Sequence, residues 1–407
     1  MDAPRRLKIL TFSSLYPNAV QPRDGVFVEE RLRHLVACGE VEATVVAPVP
    51  WFPSEKPCFG RYAQYAAVPA QEARYGIRVL HPRYPVVPKI GMSAAPWLMG
   101  YAMWPVLRRL EAEQGPFDLI DAHYFYPDGV AAVRLGQRLG KPVVVTARGT
   151  DLNWIPRHRL PRRQIRWAAT RAQGLISVSR ALGEHLVHLG VSRERITVLR
   201  NGVDIDRFCP QPEAARMLRR ELGLKGPVLL SVGSLIERKG HHITLDALRR
   251  LEGVTLLIAG EGPLKDSLRR QVAQAGLAER VHFLGPIAHA DLPRYYSAAD
   301  VFVLASSREG MPNVLLEALA CGTPVVGCDV GGVGEVLTEP VAGRVAAARD
   351  ADALAQAVGE VLAVPPAREA VRVYAQRFTW DETSAGQLEL FRRVCAHRLV
   401  RHPGGKA

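Results

Sequence analysis

Six cysteines among 407 residues form no CxxC pair and no Cys/His cluster of zinc spacing. Their spacing excludes a disulfide-stapled secreted scaffold and a structural zinc module. They read as buried or incidental thiols of a reducing compartment. Long apolar runs are missing too. The longest uncharged stretch, Ile90 to Leu107, is broken by Gly91, Pro96, Gly100 and Pro105, so it is expected not to span a bilayer. LKILTF is too short and strand-like for a signal peptide, even with Arg5, Arg6 and Lys8 around it. The chain is therefore expected in the cytoplasm. It has no GxGxxG fingerprint, which argues against a dinucleotide cofactor. It also lacks a helix-turn-helix and an aromatic RNA-stacking strand, so nucleic acid is not an expected partner.

Acidic residues are scarce in the first half. Residues 1–200 carry 28 Lys+Arg against 16 Asp+Glu, whereas residues 201–407 carry 25 against 24. A basic half beside a neutral half suggests a domain facing a polyanion or an anionic membrane surface. The plainer reading is an arginine-rich solvated surface.

The length predicts two or three domains. Short apolar runs without strict alternation recur through both halves: LKILTF, ATVVAPV, FDLIDAH, PVVVTA, GLISVS and ITVLRN, then PVLLSVG, VTLLIAG, VHFLG, VFVLAS and PVVGCD. Such runs suit parallel strands buried on both faces, with helices between them as right-handed crossovers. The pattern restarts near residue 226, which predicts two Rossmann-like domains joined near Asn201–Pro212.

The most informative stretch is SSREGMPNVLLEALACGTPVV, residues 306 to 326. Leu315, Leu316, Ala318, Leu319 and Ala320 fall at helical spacing. Gly322-Thr323-Pro324 then stops the helix and Val325-Val326 starts a strand. Gly310, Met311, Pro312 and Asn313 thus lie at a loop-to-helix junction, where free N–H groups and the positive dipole end favour an anion. Glu317 follows about two turns on. A phosphate beside a carboxylate able to hold a ribose outlines a nucleotide-sugar site.

Glu309 and Glu317 match the Glu-x7-Glu signature of retaining nucleotide-sugar glycosyltransferases. PRDGVFVEERLRHL, DAHYFYPDGVAA, VVVTARGTDLN, LRNGVDIDRF, SVGSLIERKGH, IAGEGP, VHFLGPI and GGVGEVL occur in the matching order. From about residue 8 to Trp380 the chain resembles glycosyltransferase family 4. DAHYFYPDG and TARGTDLN most resemble its bacterial exopolysaccharide and teichuronic-acid members. The resemblance implies an α/β protein of GT-B architecture, two Rossmann-like doubly wound parallel-sheet domains facing a central cleft. Residues 1–200 would bind the acceptor and 201–376 the donor, with a terminal helix, 377–400, crossing back onto the first domain. The implied activity moves a hexose from a nucleoside diphosphate sugar to a glycan or lipid-linked acceptor in cell-surface polysaccharide synthesis. An epimerase of the same fold and a non-catalytic assembly partner are the alternatives.

SVGSLIERKGH follows a strand and precedes the helix of Ile243 to Leu248. Lys239 is thereby expected where a fixed cation stabilises a departing diphosphate more than the bound donor. The arginine that relatives carry early in this segment is Ser234 here, leaving Arg238 as the expected second charge. By resemblance, Glu317 accepts from ribose hydroxyls and Glu309 lies near the transferred sugar's reacting carbon. The helix start through Val314 and the backbone of Phe283 and Leu284 complete the expected donor set. Gly25 is the expected close approach of backbone to donor. His123, Tyr126 and Asp128 are expected along the acceptor. Arg148 stands where many relatives have histidine. An arginine cannot act as a base near neutral pH, so Arg148 is expected to bind sugar or diphosphate, forming the catalytic group with Asp151 and Glu309. Asp204 and Asp206 belong to a linker motif, and no metal or other cofactor is expected. The arginine-rich segment 157–171, with Leu160, Ile165 and Trp167, is expected to lie on anionic lipid or to form a solvated helix face.

Overall fold

The computed structural model describes residues 5–86 and 91–401; Ile90, the first residue of the uncharged stretch, lies outside them. The chain divides into two compact units, Met1–Arg200 with Asp381–Ala407, and Asn201–Trp380.

The first unit contains strands β1 (Leu7–Phe12), β2 (Val41–Val46), β3 (Val49–Pro50), β4 (Gln71–Arg74) and β5 (Ile77–Leu80). They are followed by β6 (Arg83–Tyr84), β7 (Leu119–His123), β8 (Val143–Ala147), β9 (Gly174–Ser177) and β10 (Ile196–Val198). Eight of these form one sheet in the order β10-β9-β8-β7-β1-β2-β5-β4, while β3 pairs with β6. Strands β7, β8 and β9 are buried at every position. Such burial requires apolar runs rather than alternation, because helices cover both faces. The β4–β5 hairpin departs from the all-parallel expectation. Tyr75 and Gly76 both take positive φ, 50° and 78°, the geometry of a two-residue hairpin turn. QEAR is an edge strand too polar to be recognised by composition. The helix Trp380–Arg401 lays Leu388, Phe391 and Val394 into the core formed by Ile9, Leu32, Val45 and Val144.

The second unit contains β11 (Val228–Val232), β12 (Thr255–Ala259), β13 (Val281–Gly285), β14 (Val301–Leu304), β15 (Val325–Cys328) and β16 (Gly343–Ala346). The order is β13-β12-β11-β14-β15-β16, with every pairing parallel. Strand β16, the short GRVA, is an addition to the expected set. Leu229, Leu256, Val303 and Val326 pack with Leu245 and Leu354 in this unit's core.

Each sheet reverses its strand order at the strand where winding begins. β1 lies between β2 and β7, and β11 between β12 and β14. Loops leaving the carboxyl ends of such a pair diverge to opposite faces, and the crevice between them is where open α/β sheets bind ligands. Among the described residues, no helix is long and apolar enough to cross a membrane.

Candidate active site

In the second unit the crevice is built by the loop after β11, residues 233–240, and the loop after β14, residues 305–312. Gly240 holds them together. Its φ is 70° and a Cβ there would stand 2.0 Å from the Ala305 carbonyl oxygen, so only glycine allows this approach. The Ser307 N–H donates to the Arg238 carbonyl at 2.8 Å, and Arg238 Nη1 donates to the Arg308 carbonyl at 2.9 Å. The lacing aims both cations at Glu309. Lys239 Nζ reaches Oε1 at 2.7 Å and Arg238 Nη1 reaches Oε2 at 3.3 Å. Only 9% of the Glu309 side chain is exposed. Burial pushes its carboxyl up, but Lys239 and then Arg238 outweigh this and hold it below the usual carboxylate range. The GGVGEV segment braces the same loop: Gly332 N–H donates to the Gly310 carbonyl at 2.8 Å.

The helix Asn313–Ala320 starts at Pro312 and buries Leu315, Leu316, Leu319 and Ala320 completely. Its rigid seating presents Glu317 to two donors. The Tyr296 hydroxyl donates to Oε2 at 2.8 Å, and His289 Nε2 lies 2.9 Å from Oε1. Burial, then the Glu317 charge, pushes the Tyr296 phenol well up, so it remains a donor. His289 packs on the Phe208 ring at 5.1 Å. Sequence spacing gives no sign of Tyr296 or His289. One lies on the short helix Leu292–Ala298 and the other in the loop after β13. Asn313 Oδ1 accepts from Asn201 at 2.8 Å. Ser234 is exposed, Met311 is buried and Val314 is half-buried. Phe283 and Leu284 lie on edge strand β13, with the Arg269 guanidinium 5.8 Å from the Phe283 ring centre.

In the first unit the loops after β1 and β7 meet at Asp128. Ser14 donates its N–H to Oδ1 at 2.5 Å and its hydroxyl to Oδ2 at 3.0 Å. Gly25, φ 76°, closes the first loop, where a Cβ would stand 2.3 Å from the Leu15 carbonyl oxygen. Tyr126 is buried and donates its hydroxyl to the Met92 carbonyl at 2.5 Å. A cavity of about 130 Å³ opens here, lined by Ser14, Tyr16, Gln21, Tyr65, His81 and Tyr84. A larger one, about 840 Å³, lies at the opposite ends of the strands, beside Lys141, Val143, Arg171 and Gly174.

Burial pushes the Asp128 carboxyl up to about 7, against the Ser14 hydrogen bonds. The folded chain therefore binds this proton more tightly than the unfolded chain does between about pH 4 and 7. Stability from this group is highest in acid and falls as pH rises through that window. Asp128→Asn removes the titration. Its melting temperature relative to the parent is expected to climb by several degrees from about pH 5 to about pH 8. A constant difference by calorimetry would show Asp128 ionised throughout.

Arg148, His123 and Asp151 form a buried cluster. Asp151 accepts from the N–H groups of Gly149 at 2.7 Å, Phe125 at 2.8 Å and Arg148 at 3.2 Å. Arg148 Nη2 donates to His123 Nδ1 at 2.6 Å, and His123 Nε2 lies 3.1 Å from Asp121 Oδ2. These partners set the Nε2–H tautomer. Burial pushes His123 down to about 4, with Asp121 opposing and Arg148 assisting, so the ring is neutral. Gln387 on the last helix joins Asp121 at 3.1 Å to buried Arg31 at 2.6 Å. Asp121, Gln387 and Arg31 carry no sequence signal of their own.

The profile described as Glycosyltransferase Family 4 matches residues 25–207, and that of Glycosyl transferases group 1 matches residues 217–378. TuaC of Bacillus subtilis, assigned to teichuronic acid biosynthesis as a glycosyltransferase, is 32% identical over 333 residues, spanning 80% of this chain and 82% of TuaC. The chain belongs to glycosyltransferase family 4. Another relative of this family-4 chain is a D-inositol 3-phosphate glycosyltransferase of Xylanimonas cellulosilytica. It is 30% identical, spanning 86% of this chain and 89% of that one. Among solved structures, Anabaena HepE in complex with UDP matches with a TM-score of 0.72 at 22% identity, over 95% of this chain and 100% of that one. A sucrose-phosphate synthase of Thermosynechococcus elongatus matches at 0.78 and 21%, over 97% and 100%. The family-4 chain thus has the GT-B fold.

Proposed function

We propose that this glycosyltransferase is a retaining hexosyltransferase. It takes a hexose from a nucleoside diphosphate sugar bound by the second unit and passes it to a glycan or lipid-linked acceptor bound by the first. The product belongs to a cell-surface polysaccharide, and the reaction takes place in the cytoplasm. The observation that carries this reading is the cluster of Lys239, Arg238 and Glu309, at 2.7 and 3.3 Å, in the crevice where the second sheet reverses. The names of two similar proteins point the same way: TuaC is assigned to teichuronic acid biosynthesis, and HepE was solved with UDP and with UDP-glucose.

Breaking the bond between the anomeric carbon and the diphosphate oxygen leaves the electron pair on that oxygen. Lys239 and Arg238, fixed before reaction begins, stabilise the new charge. Cations so placed do what a divalent metal does in other sugar transferases, and no metal or other cofactor is proposed. Glu309 faces the positive charge developing at carbon. The free lone pairs of Glu317 accept from ribose hydroxyls, and the Phe283–Leu284 backbone meets the base. Ser234 and the Gly310–Val314 segment flank the diphosphate and sugar. On the acceptor side, Tyr126, Asp128 and His123 shape the crevice, with Arg148 and Asp151 beneath it. His123 and Arg148 are each other's partner, so neither serves as base. The acceptor hydroxyl attacks from the face that the diphosphate leaves, and its proton passes to the departing phosphate oxygen.

The test begins with thermal shifts in UDP-, GDP- and ADP-sugars, because a bound ligand raises the melting temperature. With the donor found, proton NMR of the product is expected to show the donor's anomeric configuration. An inverted product, or donor turnover without acceptor, would overturn the proposal.

A further inference from the structure

Three helices of the first unit pack side by side: Ala95–Gln114, Val130–Leu139 and Arg159–Arg171. The second touches both of the others. Their inner faces are apolar and buried, through Met99, Met103 and Leu107, Val130 and Val133, and Ile165, Ala168 and Ala169.

Their outer faces carry a different chemistry. Helical spacing aligns Trp97, Tyr101 and Trp104 on the first, Arg134 and Arg138 on the second, and Arg159, Arg163, Trp167 and Arg171 on the third. The stripes interlock. Arg134 lies 3.0 Å from the Trp97 ring centre and 5.6 Å from that of Trp167, and Arg138 lies 4.2 Å over Trp104. Tyr101 is 80% exposed and Trp97 52%, while Met92 and Leu160 are about half exposed. Gln164 donates to the Ser93 carbonyl at 3.0 Å, which holds the Met92 turn against the third helix. Residues 91–110, 130–140 and 154–171 together hold ten arginines and no Asp or Glu; the end of the first helix adds Glu111 and Glu113, and Glu113 pairs with Arg109 at 2.7 Å.

A face made only for water would not leave tryptophan, tyrosine, methionine and leucine exposed among its charges. A core would hide them. Aromatic rings interleaved with unbalanced cations match the layer where acyl chains give way to phosphate. That layer supplies both an apolar medium for the rings and the missing negative charge. We propose that this three-helix face docks the protein on an anionic lipid bilayer, with Trp97 and Tyr101 entering the interface and the arginines meeting lipid phosphates. The Tyr126 hydroxyl bonds the Met92 carbonyl at 2.5 Å, so the edge of this face is joined to the loop that carries Asp128. A lipid-linked acceptor would reach that loop from the membrane. This last step rests on the proposed function; the docking does not.

The full-length protein is sedimented with vesicles of phosphatidylglycerol and phosphatidylcholine, and with phosphatidylcholine alone. Binding of UDP, GDP and ADP is measured on the same preparations. Only the anionic vesicles are expected to retain the protein. Arg159→Ala with Arg163→Ala should weaken retention about 30-fold, a loss that vanishes at high salt. Trp97→Ala with Tyr101→Ala should weaken it at all salt concentrations, with nucleotide binding unchanged in every variant. Protein that ignores both vesicles, or variants that pellet like the parent, would overturn the proposal. So would a single-stranded RNA that binds more tightly than the vesicles and depends equally on Trp97 and Tyr101. Failure to bind any of UDP, GDP and ADP with vesicle binding intact would count against the proposed function and leave the docking surface standing.

Discussion

Lys239→Met is expected to lower kcat/KM for sugar transfer by about 100- to 1000-fold, the usual cost of removing one preorganised charge from a transition state. Methionine is chosen because the Lys239 stem packs over Gly233, where a Cβ would meet its Cε at 3.3 Å. The substitution keeps that packing and deletes only the ammonium group. Charge-assisted contacts to phosphate contribute roughly 1.5–3 kcal/mol, so the nucleoside diphosphate identified by the thermal shifts should bind about 10- to 150-fold more weakly. The fold should survive, because Arg238 still faces Glu309 at 3.3 Å. Calorimetric titration with that nucleotide beside circular dichroism separates the two effects. Unchanged affinity for that nucleotide in a folded variant would remove Lys239 from the donor site.

The parallel sheets were readable from the chain because their strands are apolar throughout, as in VVVTA and VFVL. A run buried on both faces leaves no polar phase to confuse it with a half-exposed strand. The β4–β5 hairpin was not readable, since Tyr75-Gly76 is an unusual turn pair and QEAR has no apolar face. Lys239 and Glu309 stand out because each lies between a strand end and a helix start that punctuation marks in sequence, and Glu317 because it lies inside the helix so marked. Their partners do not. Tyr296 meets Glu317 across 21 positions, Ser14 meets Asp128 across 114, and Gln387 meets Asp121 across 266. Such pairs are created by strand order, which periodicity does not encode. Arg148 shows the same limit: its unfitness as a base follows from its chemistry, whereas its bond to His123 follows from β7 and β8 being neighbours.

Glu309→Gln should separate binding from turnover in opposite directions. In the donor-free chain the Glu309 carboxylate neutralises Lys239 and Arg238, at 2.7 and 3.3 Å. An arriving diphosphate competes with it for both cations. Without that charge, the nucleoside diphosphate is expected to bind as tightly as in the parent or more tightly. Transfer should nonetheless fall about 100- to 1000-fold, because nothing then opposes the positive charge at the anomeric carbon. The pH dependence has a definite sign. The folded carboxyl is held below its unfolded range, so the stability gained from its cations is present above the ordinary carboxylate pKa and is lost as pH falls through the lower folded value. The parent should therefore lose melting temperature relative to Glu309→Gln only in strong acid, and at neutral pH the variant should be the less stable of the two. If nucleotide affinity, turnover and melting temperature all fell together at neutral pH, Glu309 would be a brace between two loops and no participant in the chemistry.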